Sequence, residues 1–126
     1  MSRAVRMAIL PLRIVSVSNL RECWRARARR TKAHRAAAAA IGPLPALPVV
    51  VSLSRIAPRQ LDDDNLRTAF KALRDGIAAR YGIPDNDKRI RWEYDQERGK
   101  PKEYGARVTI CEVGTPDMFE ASKGKR

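Results

Sequence analysis

Asp62-Asp63-Asp64-Asn65-Leu66-Arg67-Thr68-Ala69-Phe70 opens a segment in which Leu66, Ala69, Phe70, Leu73, Ile77, Ala78 and Tyr81 recur at three- and four-residue intervals. That interval marks one face of an α-helix, so the spacing predicts an amphipathic helix over 64–81. Asp62 or Asp63 can cap its start and Gly82 stops it. Just upstream, Pro48-Val49-Val50-Val51-Ser52-Leu53-Ser54-Arg55-Ile56 is a β-branched run, which predicts a strand in the middle of a sheet.

On the C-terminal side, Ile83-Pro84-Asp85-Asn86-Asp87 is turn chemistry. Arg89 to Asp95 then alternates with period two, placing Ile90, Trp92 and Tyr94 on one face as sheet core. Gln96 to Glu103 reads as a polar hairpin loop, and Tyr104 to Val113 as a last strand. On the N-terminal side, residues 9–18 read as a first strand ending at Ser18-Asn19. Arg21 to Ile41 lacks Gly and Pro and is rich in Ala, which is helix composition, with Trp24 and Ala28 able to face inward. Gly42-Pro43 ends that helix. The expected order is β-α-β-α-β-β, a small single-domain α/β fold with a mixed sheet packed by helices. One domain is expected over 1–113, with a polar, basic tail over 114–126.

The chain carries 26 Lys and Arg against 14 Asp and Glu, a formal net charge of +12. Such an excess favours polyanionic partners, because contacts to phosphates release condensed counterions. The first half of the 21–41 helix holds most of the local charge. Arg21, Arg25, Arg29 and Lys32 are the residues expected to follow a DNA backbone, positioning it without reading sequence. Cys23 and Cys111, with one His, make no zinc-binding pattern and read as reduced thiols of a cytoplasmic protein. No 18-residue apolar run is present, which excludes a membrane-spanning helix from the expectation.

Three consecutive carboxylates in so basic a chain have two readings. Acids in a first helical turn favour the helix dipole and cap free amides, each effect contributing about 0.3–1 kcal/mol. One Asp suffices for that, and three in a row repel one another unless a cation joins them. A magnesium ion takes one or two carboxylates with water and phosphate, so Asp62 and Asp64 beside DNA-binding charge fit a metal site. A helix of about 18 residues is roughly 27 Å long. Asp87 can join the same ion only if the chain after Gly82 returns.

The segment Asp62-Asp63-Asp64-Asn65-Leu66, a helix bearing Lys and Arg, and Gly82-Ile83-Pro84-Asp85-Asn86-Asp87 before a strand together resemble the RusA-type Holliday junction resolvases of bacteria and their prophages. The likeness covers residues 58–113, and the N-terminal part matches loosely. It implies a homodimeric, magnesium-dependent endodeoxyribonuclease that resolves four-way DNA junctions in recombination and repair. Asp62, Asp64 and Asp87 would be the catalytic metal ligands, with Asn65 in support. Two positions depart from the family pattern. Thr68 stands where a functional Lys is common, leaving Arg67 or Lys71 to stabilise charge on the phosphate. Asn86 replaces the first acid of an Asp-Asp pair, with Asp85 adjacent. The rival readings are a non-catalytic nucleic-acid-binding protein, such as a phage regulator whose acids only cap a helix, and a ribosome-associated RNA binder.

Overall fold

The computed structural model describes residues 4–15 and 23–113, and it is an α/β domain built on one four-stranded mixed sheet. The 114–126 segment and Arg21 lie outside the described residues. In chain order the elements are β1 (Val5–Leu10), α1 (Trp24–Ala37) with a 3-10 turn over Ala38–Ile41, β2 (Val49–Ala57), α2 (Asp63–Ala69), α3 (Lys71–Tyr81), β3 (Ile90–Arg98) and β4 (Gly105–Glu112). The strands lie in the order β1-β4-β2-β3. Only β2 and β3 run parallel, joined by the α2–α3 crossover; β4 is antiparallel to both β1 and β2.

The Val49–Ala57 run is central, as expected, with strands paired on both sides. Val49, Val51 and Leu53 are fully buried beside Val108 and Ile110 of β4, and Phe70, Leu73 and Ile77 of the crossover close over this face. Trp92 and Tyr94 are half-buried against the same core, so their expected placement on the sheet holds. Arg55 also faces inward. Its guanidinium donates to the carbonyls of Ile14 (2.7 Å) and Arg59, which replaces the water it loses on burial.

Four expectations are corrected. The first strand runs over 5–10, and 11–15 is not strand: alternation already starts at Val5, and Pro11, lacking an N–H, ends the ladder, while residues 16–19 of the expectation lie outside the described residues. The helix expected over 64–81 is two helices, divided at Phe70. The Phe70 amide is shared between the Leu66 and Arg67 carbonyls at 3.3 and 3.2 Å. Two residues earlier, the Thr68 hydroxyl donates to the Asp64 carbonyl at 2.9 Å, a local bond of the kind that bends helices. Trp24 and Ala28 face outward, Trp24 being 73% exposed, and His34 and Ala38 take the inward positions. Finally, 96–103 is no hairpin loop: β3 continues to Arg98, and β2 lies between β3 and β4.

Two glycines set the helix geometry. Gly76 lets α3 touch α1, since a Cβ there would clash with the Arg35 carbonyl oxygen. Gly82 ends α3 in the left-handed region (φ 72°), as a helix C-terminus favours. Among the described residues no helix is long and apolar enough to cross a membrane, and both cysteines are free.

Candidate active site

The start of α2 is fixed to the sheet by a side chain that periodicity does not single out. Gln96 of β3 accepts from the Leu61 amide and donates to the Leu61 carbonyl, both at 2.8 Å. This two-point clamp sets Asp62 beside the C-terminal end of β3. Asp62 occupies the N-cap position with extended backbone, and its carbonyl accepts from the Leu66 amide at 2.8 Å. Its carboxylate makes no capping hydrogen bond. Asp62, Asp63 and Asp64 are all exposed, and none is ion-paired among the described residues.

The other acids near the crossover are paired. Asp85 receives Lys71 Nζ at 2.9 Å and Arg74 Nε at 2.8 Å on one carboxylate oxygen, and its carbonyl accepts from Trp92 Nε1 at 2.8 Å. The Lys71 hydrogen bond, helped by the charge of Arg74, holds the Asp85 carboxyl below the usual carboxylate range. Arg74 further donates to the Tyr94 hydroxyl at 2.6 Å and lies over the Trp92 ring. Asp85 therefore ties α3 to β3. Lys71 divides its charge between Asp75 and Asp85, both at 2.9 Å. Arg67 lies 5.3 Å from the centre of the Tyr94 ring.

Asp87 is separately engaged. The Arg89 side chain grips both its oxygens at 3.0 Å, and the Arg89 amide adds a 2.9 Å bond. These donors lower its pKa to about 2. It precedes Ile90, at the end of β3 opposite the Gln96 clamp. Six residues of strand separate Ile90 from Gln96, about 20 Å. The three aspartates expected to share an ion are thus not brought together within one chain. Among the described residues no three His, Cys, Asp or Glu side chains form a group able to hold a metal ion. What remains at the start of α2 is a set of hard, exposed oxygen donors without ion pairs among the described residues, Asp62 and Asp64 foremost. One or two carboxylates suit magnesium when phosphate and water complete its shell.

The Asp87–Arg89 pair has a testable pH signature. The folded pKa lies below the ordinary 3.8, so the pair's contribution is complete above that value and is lost as pH falls through about 2. In Arg89→Ala, the Asp87 carboxyl carbon followed by NMR is expected to titrate higher than in the unaltered protein, short of the ordinary range because the amide bond at residue 89 remains. An unmoved midpoint would assign the depression to another group.

Cationic surface lies alongside. Of the residues expected to contact DNA, Arg25, Arg29 and Lys32 are exposed on α1. The groove between α1 and the crossover is lined instead by Arg27, Arg30, Thr31 and His34, facing Thr68 and Lys71. Burial, and then the nearby Arg30, lower the pKa of His34, so it stays neutral near pH 7. Arg27 and Arg30 were not separable from their neighbours by sequence, because which side of so uniformly cationic a helix meets α3 is set by Gly76. Exposed Trp24, with Arg25 5.2 Å from its ring centre, adds a flat apolar surface at the helix start. No protein-family model matches this chain, and no curated protein matches its sequence.

Proposed function

We propose that this protein is a structure-specific endodeoxyribonuclease of the cytoplasm that cuts branched DNA, four-way junctions above all, with magnesium as cofactor. The observation that carries the reading is the contrast among its acids. Asp75, Asp85, Asp87 and Glu97 are each neutralised by Lys or Arg, and Glu93, Asp95, Glu103 and Glu112, which are not ion-paired among the described residues, are not consecutive. Asp62, Asp63 and Asp64 stand exposed and without ion pairs among the described residues, with no capping bond from Asp62, in a chain of net charge +12. Capping does not explain three such neighbours, and a hard cation does.

Asp62 and Asp64 are the residues that would hold the ion. Magnesium, when bound, supplies Lewis acidity toward the scissile phosphate and makes a bound water more acidic. Arg67, over the Tyr94 ring and one turn along the helix from Asp64, would donate to phosphate oxygens. The α1 cations hold the flanking backbone. Cutting opposed strands of a junction symmetrically calls for two sites related by a dyad, hence a homodimer.

A second reading, a nucleic-acid-binding protein without catalysis, is favoured by the engagement of Asp87 with Arg89. Incubation with a synthetic four-way junction, with magnesium or with chelator, separates the two. Cutting that chelator abolishes supports the nuclease; tight binding with no cutting supports the second reading. If structured RNA competes better than the junction, both give way to an RNA-binding role.

The cationic helix gives a further expectation. Neutralising Arg25, Arg29 and Lys32 to Gln should weaken binding to every DNA sequence alike. It should also make the slope of log affinity against log salt shallower by about 0.9 for each phosphate that is no longer neutralised. Titrations at several salt concentrations check this, and an unchanged slope would remove α1 from the interface.

A further inference from the structure

The groove between α1 and the α2–α3 crossover, about 290 Å³ in volume, is lined differently from the outer face of α1. Arg27 and Arg30 line it from α1 and Lys71 from α3, while Thr31 and Thr68 add a hydroxyl from each side. Asp75 is the acid of the lining and is bound by Lys71 at 2.9 Å. His34 also lines the groove. It is only 7% exposed, and its ring makes no hydrogen bond among the described residues. Polar groups buried this deeply normally have a partner, and an anion entering the groove would supply one.

We propose that this groove binds a phosphate monoester, the terminal phosphate of a nucleotide or of a nucleic-acid strand. Charge and valence select a monoester over the diester of an unbroken backbone. Three cations against one acid leave the lining two positive charges, which match a phosphate dianion and exceed the single charge of a diester. Donors come from both walls of the groove and from the imidazole between them. A terminal phosphate offers three free oxygens to these donors, whereas a diester offers two and carries chain on both sides. Trp24, 73% exposed and one turn before Arg27, provides a flat surface on which the attached base can stack. The site goes beyond junction cutting, which acts on phosphodiesters inside a strand, and does not depend on it. In the free protein, burial and then Arg30 hold the His34 pKa down; Arg27 and Lys71 share its groove, and Asp75 is the opposing charge. A dianion favours the charged imidazole, so binding should draw a proton onto the ring.

His34 is the single histidine of the chain, so its ring proton resonances report on the groove without any variant. The test is binding to the whole protein in chelator, where no cutting occurs, so this site and the nuclease reading can fail separately. A short single strand phosphorylated at both ends is expected to shift the His34 resonances and raise their titration midpoint. It should also bind about tenfold tighter than the same strand with two hydroxyl ends. Replacing Arg30 and Lys71 together by Gln should abolish that preference while the circular dichroism spectrum stays unchanged. A nucleoside monophosphate that displaces the phosphorylated strand and itself moves His34 would support the site and make a free nucleotide a sufficient ligand. Equal affinity for the two strands, a His34 midpoint unmoved by the phosphorylated one, or a preference that survives in the folded double variant would each overturn the proposal.

Discussion

Asp64→Asn is expected to bind a four-way junction as tightly as the unaltered protein and to lose cutting by on the order of 100-fold or more. The substitution keeps the size and the helical position of the side chain while removing one unit of negative charge. Asp64 makes no side-chain hydrogen bond or ion pair among the described residues, and it is exposed in the first turn of α2. Its replacement should therefore leave folding intact, since surface changes away from such contacts usually alter stability by less than about 0.5 kcal/mol. Junction affinity in chelator should hold or rise, because one repulsive charge leaves a surface that receives phosphate. The loss should appear in the rate of cutting at saturating junction, with Asp62→Asn behaving alike. Unchanged cutting in both variants would remove the helix start from the chemistry. Asp87→Asn is the informative companion. Within one chain Asp87 lies far from Asp62 and is held by Arg89, so its effect on cutting reports whether the assembled protein brings the two ends together.

Where the sequence was readable, one force dominated locally. The Val49–Ala57 strand buries Val49, Val51 and Leu53 under the helices, and that burial is written directly as a β-branched run. The helical period after Asp64 is equally plain, because the sheet is covered by Leu66, Leu73 and Ile77. The strand order is not written anywhere in the spacing. A polar loop between two strands reads as a hairpin, yet β2 inserts between β3 and β4 and pairs with both along its edges. The acids illustrate the same limit. Asp62, Asp63 and Asp64 are conspicuous in sequence, but Asp85 and Asp87 look no different from them. Only the fold reveals that Lys71, Arg74 and Arg89 have claimed those two. Gln96, which clamps the helix start, carries no periodic or charge signal at all.

The break at Phe70 was invisible for a related reason, and it leads to the largest expected change in stability. Helical periodicity passes straight through the joint, since Ala69, Phe70 and Leu73 are buried on either interpretation. Phe70 is fully buried, its ring centroid 6.1 Å from that of Tyr94, and its backbone sits at φ −90°, ψ −2° between the two helices. Phe70→Ala removes the aromatic side chain from the point where both helices meet the sheet. The lost transfer energy and the cavity together should destabilise the protein by about 3–5 kcal/mol, read from urea unfolding. Phe70→Leu retains much of the apolar volume and should cost clearly less. The two helices also hold different parts of the proposed site: α2 carries Asp64 and Arg67, while α3 carries Lys71 and Arg74 with their bonds to Asp85. If the ring sets the angle between them, Phe70→Leu should slow junction cutting at temperatures where the variant remains fully folded. A Leu variant that loses stability but cuts at the normal rate would make Phe70 a core residue alone, and would show that the acids at the start of α2 are placed by the Gln96 clamp without help from the joint.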